Sequence, residues 1–257
     1  VPPGPATREI NVHDLVRVWR STRLIVLTAV SAALYAAVLI PFKAIPIIPG
    51  ATEIRPANAL PIVFSFLFGP AGAWGSAFGN LIGDTFGTLG PGTVFGFLGN
   101  LVYGYLPYRI WGAWSAAPLP SGAAGWTGYV AITTAASTAC ALVIGWGLHA
   151  LGFVPFPILS GVILVNNIAV SAFLSPLLLR AIHPRVRRWG LVYRPPAEPG
   201  GARVARRIAG VGAALAAASG VVAGHLVAGR TVAGIEDPVT ILLLPIVLVL
   251  FALVWKA

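Results

Sequence analysis

EIRPANALPIVFSFLFGPAGAWGSAFGNLIGDTFGTLGPGTVFGFLGNLVYG, residues Glu53 to Gly104, sets most of the chain's unusual polarity among its most glycine-rich apolar segments: Glu53, Arg55, Asn58, Asn80, Asp84 and Asn100. Gly75, Gly79, Gly83 and Gly87 recur every four residues, and Ala71 extends the series backwards. On a helix these positions form one smooth stripe against which another helix can pack closely. The same register stacks Asn80 and Asp84 on a neighbouring face, where contact with hydrocarbon is costly. The stretch therefore predicts a polar pocket held by tightly packed membrane helices.

Composition agrees. Of 257 residues, 57% are hydrophobic and 9% charged, with a mean hydropathy of +0.86, whereas a soluble domain carries about 25% charged residues. The net charge of +10 does not signal nucleic acid: the basic residues cluster beside apolar runs, as the positive-inside rule requires. Cys140 is the single cysteine, so no intramolecular disulfide forms, and nothing near it completes a metal set. No cleavable signal peptide is evident, and a prokaryotic plasma membrane is the expected setting.

Outward from the opening stretch, eight crossings are expected. Residues 1–23 form a basic tail or a short interfacial helix on the cytoplasmic side, followed by a first span from Leu24 to Ile40. Pro41, Pro46 and Pro49 predict an irregular loop over Phe42 to Arg55. Pro56 to Phe68 and Ala71 to Asp84 read as two helices interrupted at Gly69-Pro70, each of about 14 residues or roughly 21 Å, short of a full crossing. If they count as two crossings, the arginines of the tail, Arg109 and the later arginine cluster all fall on one side of the membrane. Thr93 to Arg109, Ala123 to Ala150 and Ile158 to Leu179 complete a six-helix core over residues 24–182.

Eight arginines between Arg180 and Arg207, with Pro195, Pro196 and Pro199 among them, predict a cytoplasmic linker over 183–207. A two-helix extension over 208–257 follows, with spans Ile208 to Ala228 and Val239 to Trp255, which leaves both ends of the chain cytoplasmic. Ala216, Gly220, Gly224 and Ala228 give its first helix a packing stripe. Gly79-Asn80-Leu81-Ile82 and Gly99-Asn100-Leu101-Val102 echo each other, but four residues do not make a repeat.

On this topology Glu53, Arg55, Asn58 and Asp84 meet at the external face. Asp84 must be paired or wet, and Arg55 is its candidate partner. Two readings stand for these groups: ligand contact, or a structural pair at a helix end. Asn80, Asn100, Asn166 and Asn167 likewise offer amides either to a ligand or to neighbouring helices. Tyr35, Trp74, Phe78 and Tyr103 are candidates to stack on a flat heterocycle, or plain membrane core. HExxH, CxxC, GxSxG and a Walker A loop are all missing, and the four histidines are scattered, so no catalytic residue, cofactor or metal ligand is expected.

The segment EIRPANALPIVFSFLFGPAGAWGSAFGNLIGD resembles the second and third helices of the substrate-binding (S) components of energy-coupling-factor (ECF) vitamin transporters, above all the queuosine-precursor branch. The resemblance rests on Arg55-Pro56, Ala59-Leu60-Pro61, Phe68-Gly69-Pro70, Gly72 and Gly79-Asn80 with Asp84, within a core of residues 20–182. It implies an all-α, six-helix S-component-like bundle that takes up a micronutrient and docks on a transmembrane coupling subunit driven by two cytoplasmic ATPase subunits. Ala29, Ala33 and Ala37 match the family's small-residue docking stripe, and its pocket position points to Glu53, Arg55, Asn58, Asn80 and Asp84. The extra C-terminal pair departs from the family pattern and leaves a second reading, a structural or assembly subunit of a larger membrane complex built on the same scaffold.

Overall fold

A computed structural model describes residues 13–42, 45–48, 52–53, 55–194, 200–232 and 235–257. In chain order its elements are α1 (Asp14–Arg17), α2 (Thr22–Phe42), a small hairpin of β1 (Pro46–Ile48) and β2 (Thr52–Glu53), α3 (Ala59–Phe68), α4 (Pro70–Asp84), α5 (Thr93–Trp114), α6 (Gly122–Ala150), α7 (Phe156–Arg188), α8 (Gly200–Val227) and α9 (Pro238–Lys256). The hairpin is antiparallel and stands where an irregular loop was expected. Apart from it the secondary-structure elements of the described residues are all helical. Five helices, α2, α6, α7, α8 and α9, are long and apolar enough to cross a bilayer. Val165, Phe173 and Leu177 on α7 and Val26, Val30 and Leu34 on α2 stand exposed, as lipid-facing side chains do. The protein is a multi-pass membrane protein.

The break between α3 and α4 turns on Gly69, whose φ of +55° suits glycine and few other residues. The ring of Tyr193 lies against it, where a Cβ at Gly69 would strike that ring. Pro70 then starts α4 at a position where its missing N–H costs nothing. The glycine stripe of α4 packs on α2: a Cβ at Gly75 would strike Ser31, and one at Gly79 would strike Tyr35. Ala32 and Ala36 of α2 are buried, whereas Ala29, Ala33 and Ala37 are exposed on its opposite side.

One end of the bundle gathers the basic residues. Arg23 donates to the backbone oxygen of Gly190, and the Tyr193 N–H donates to Leu67 O at 2.7 Å. The buried Arg109 pairs with the buried Asp14 at 2.8 Å and donates through Nε to the backbone oxygen of Ala257 at 2.8 Å. His13 stacks on Trp255 with centroids 3.7 Å apart. The segment before α2 and the end of α9 are thus locked together on α5.

The arginine-rich connection is shorter than the expected 183–207, because α7 continues to Arg188 and α8 begins at Gly200. Arginine is a good helix former, and Arg185, Arg187 and Arg188 in the last turn of α7 complement its dipole. The α8–α9 pair lies against α5 and α6. A Cβ at Gly220 would meet Leu142 at 2.7 Å and one at Gly224 would strike the ring of Phe156, so the stripe on α8 does pack. The exposed side of α2 lies outside this contact.

Candidate functional site

At the end of the bundle opposite the arginines, α4, α5, α6 and α7 enclose a cavity of about 340 Å³. The α4 register brings Asn80 and Asp84 one turn apart, and the Asn80 amide donates to Asp84 Oδ2 at 3.1 Å. The Thr88 hydroxyl, a further turn on, donates to Asp84 Oδ1 at 3.0 Å. Arg55, just ahead of the turn Pro56–Asn58, donates to Asn80 Oδ1 at 3.2 Å. Arg55 is thereby connected to Asp84 through an amide held at both ends. Asp84 is 5% exposed, and a carboxylate at mid-membrane costs about 3 kcal/mol; the donors from Asn80 and Thr88 offset that cost.

A second chain of amides forms the floor. Asn58 Nδ2 donates to Asn167 Oδ1 at 2.6 Å, and Asn100 Nδ2 donates to Gly96 O at 2.9 Å. The Tyr35 hydroxyl, with one proton to give, stands 2.7 Å from Asn58 Oδ1 and 3.1 Å from Asn100 Oδ1. Tyr103 reaches Asn167 O at 3.4 Å. Both tyrosines are fully buried behind the amides; they brace the lining and do not face the cavity. Ile144, Leu148 and Ile163 supply an apolar wall, and Phe153 is its aromatic member.

The two Gly-Asn pairs do parallel work. Gly79 lets α4 close on Tyr35 of α2, and Gly99 lets α5 close on Ile144 of α6, where a Cβ would meet Ile144 at 2.5 Å. Each following asparagine, Asn80 or Asn100, then turns into the cavity.

Of the residues singled out from the sequence, Arg55, Asn58, Asn80, Asp84, Asn100 and Asn166 line this cavity. The side chain of Glu53 lies outside the described residues. Trp74 sits elsewhere: its Nε1 donates to Leu15 O at 3.0 Å, and its ring joins Trp19 and Phe78. Ten residues separate it from Asp84, about 15 Å along a helix, so it belongs to the other end of α4. Asn167, weighed from the sequence beside Asn166, lines the cavity too, and Thr88, Thr93, Gly96 and Cys140 line it without having been assigned to it. For Thr88 the signal was available, since it continues the four-residue spacing of Asn80 and Asp84.

Among the described lining residues Arg55 is the cation and Asp84 the anion, and the remaining polar groups are amides and hydroxyls. Such a lining reads donors and acceptors along the edge of an uncharged or zwitterionic ligand, with apolar side chains against its faces. A family model described as QueT transporter matches residues 25–184. No curated protein and no solved structure matches the chain.

Proposed function

The chain belongs to the QueT transporter family, and on that premise we propose that it is the substrate-binding component of an ATP-driven importer that captures a queuosine precursor in the amide-lined cavity. It is a membrane transport protein and not itself catalytic. The observation that carries the reading is the cavity itself: about 340 Å³, at the small end of the roughly 300–1,000 Å³ typical of ligand sites, with amides and one carboxylate converging on it. Arg55, Asn80 and Asp84 fix the ligand's polar edge, Asn58, Asn100, Asn166 and Asn167 read the remainder, and Glu53 stands next to them in sequence.

In this reading residues 24–182 are the six-helix binding core, with α3 and α4 each counting as a crossing, and α8 and α9 bring the total to eight. The arginine-rich end faces the cytoplasm, with both ends of the chain on that side, and the cavity opens outward. Ala29, Ala33 and Ala37, exposed on α2, meet the transmembrane coupling subunit, which works with two ATPase subunits. The packing of α8 and α9 on α5 and α6 supports this, because it leaves the docking side of α2 uncovered.

Titration of a queuosine precursor into the detergent-solubilised protein tests the site. Asp84→Ala removes a charged hydrogen-bond acceptor, and affinity should fall about 10- to 100-fold with the helical content retained. Unchanged affinity would remove Asp84 from the site.

A further inference from the structure

A second cavity, of about 500 Å³, opens at the arginine-rich end, enclosed by α3, the ends of α5 and α7, the segment after α7 and the first turn of α8. We propose that it binds a phosphate-bearing anion. Arg187, Arg194 and Arg203 line it, and no carboxylate does so among the described residues. Arg203 spends its Nε on Ala113 O at 3.1 Å. That bond orients the guanidinium and leaves its two Nη groups as a fork for two anion oxygens.

Three buried polar atoms in the lining have no partner: Nε2 of His183 and the hydroxyls of Tyr108 and Tyr193. His183 is 7% exposed, and a buried polar group without a hydrogen bond is costly. Each can donate to an anion oxygen. Tyr193 is held in place by its N–H bond to Leu67 O at 2.7 Å and by its ring on Gly69. The indole of Trp111, whose Nε1 is taken by Ala117 O at 2.6 Å, adds an apolar surface for the rest of the ligand. A merely solvated basic face would show the arginines but neither the enclosure nor the orphaned donors.

The shared chemistry is phosphate, and its source is either a free phosphate or the headgroup of an acidic lipid. The full chain is reconstituted in phosphatidylcholine nanodiscs and titrated with inorganic phosphate. In parallel, native mass spectrometry compares phosphatidylglycerol with phosphatidylcholine retained by the detergent-solubilised protein. One arm or the other should show a single saturable site, which identifies the source. Arg187→Gln combined with Arg194→Gln changes two exposed side chains and should weaken that binding by about tenfold or more, with the melting temperature unchanged.

Gly112→Leu keeps every arginine but fills the cavity, since a Cβ at Gly112 meets nothing within 4 Å; it should also abolish the site. Saturation in neither arm overturns the proposal. So does loss of binding in the arginine variant but not in Gly112→Leu, which would mean attraction to surface charge alone. Binding that emerges only in Glu198→Gln overturns it as well, because the chain's own carboxylate would then be the occupant.

Discussion

Gly96→Ala separates the binding network from ordinary helix energetics. Gly96 is on α5 facing α4, and a Cβ placed there would stand 2.8 Å from Asn80 Nδ2 and 3.6 Å from Asp84 Oδ2. The Asn80 amide has nowhere to retreat, because Arg55 holds its oxygen at 3.2 Å and Asp84 accepts from its nitrogen at 3.1 Å. Relieving the contact requires a shift of about 0.6 Å, which takes the Asn80–Asp84 bond to the edge of hydrogen-bonding distance. A buried donor left unpaired costs about 1–3 kcal/mol, whereas alanine gains up to about 1 kcal/mol over glycine within a helix. The net effect on stability is therefore between zero and a loss of about 3 kcal/mol. Gly161→Ala on α7 is the control: nothing lies within 4 Å of its Cβ, so the propensity gain stands alone. Thermal unfolding in detergent and calorimetric titration with a queuosine precursor are measured on both variants. Gly161→Ala should be slightly more stable with unchanged affinity, and Gly96→Ala should lose affinity about tenfold or more. A Gly96→Ala protein that gains stability and binds as tightly as the parent would refute the geometry assigned to Asn80.

Asp14→Asn removes the Asp14 carboxylate from its pair with the buried Arg109, and since Arg109 keeps its bond to Ala257 the loss should be about 3 kcal/mol, the lower end for a broken buried pair. Thermal unfolding reads it, and protease sensitivity should rise at the ends of the chain. Ala33→Trp, on the exposed side of α2, should leave melting temperature and ligand affinity unchanged while abolishing copurification with the coupling subunit. His13 is held below its ordinary pKa of 6.5, chiefly because burial disfavours the cation; the Trp255 backbone oxygen opposes this and the Arg109 guanidinium adds to it. The unfolded chain then takes up the proton first, so this contribution to stability is full above about pH 6.5 and is lost as pH falls towards the folded-state value. The drop in melting temperature from about pH 7.5 to 5.5 should be smaller in His13→Gln than in the parent.

The positions of the helices were legible because proline and glycine mark their ends: Gly69-Pro70 separates α3 from α4, Pro155 precedes α7, and Pro238, following Asp237, opens α9. The end of α7 was not, since arginines and Pro184 read equally as linker until the neighbouring helices hold them. The polar half of the cavity was legible for a physical reason. An amide or carboxylate in an apolar helix must face protein or water, and Asn80, Asp84, Asn100 and Asn167 all do. Apolar residues carry no such constraint, so nothing in the sequence distinguished Ile144 and Leu148, which face the cavity, from Val165 and Phe173, which face outward. Trp74 shows the remaining error: side-chain chemistry suggested a stacking wall, while its distance along α4 from Asp84, countable in the sequence, placed it at the other end.

The extra hairpin bears on how such a component can work. A loosely tethered helix pair would hinge on the core, whereas a tightly packed pair moves with it as one unit. Here α8 and α9 are fixed to the core at both ends of the bundle. Arg203 and Arg207 converge on Ala113 O at 3.1 and 2.8 Å and Arg109 holds Ala257 at the basic end, while His149 meets Asp237 at 3.0 Å at the cavity end. The Asp237 carboxyl, although its partial burial works the other way, is held below its ordinary range by hydrogen bonds from His149 and Thr240. Between these two clamps Gly220 and Gly224 bring α8 directly onto Leu142 and Phe156. A body braced in this way broadens the face formed by α5 and α6 and leaves the exposed side of α2 outside the contact. The hairpin thus adds lipid-facing surface on the side away from α2 and leaves the exposed stripe of Ala29, Ala33 and Ala37 uncovered.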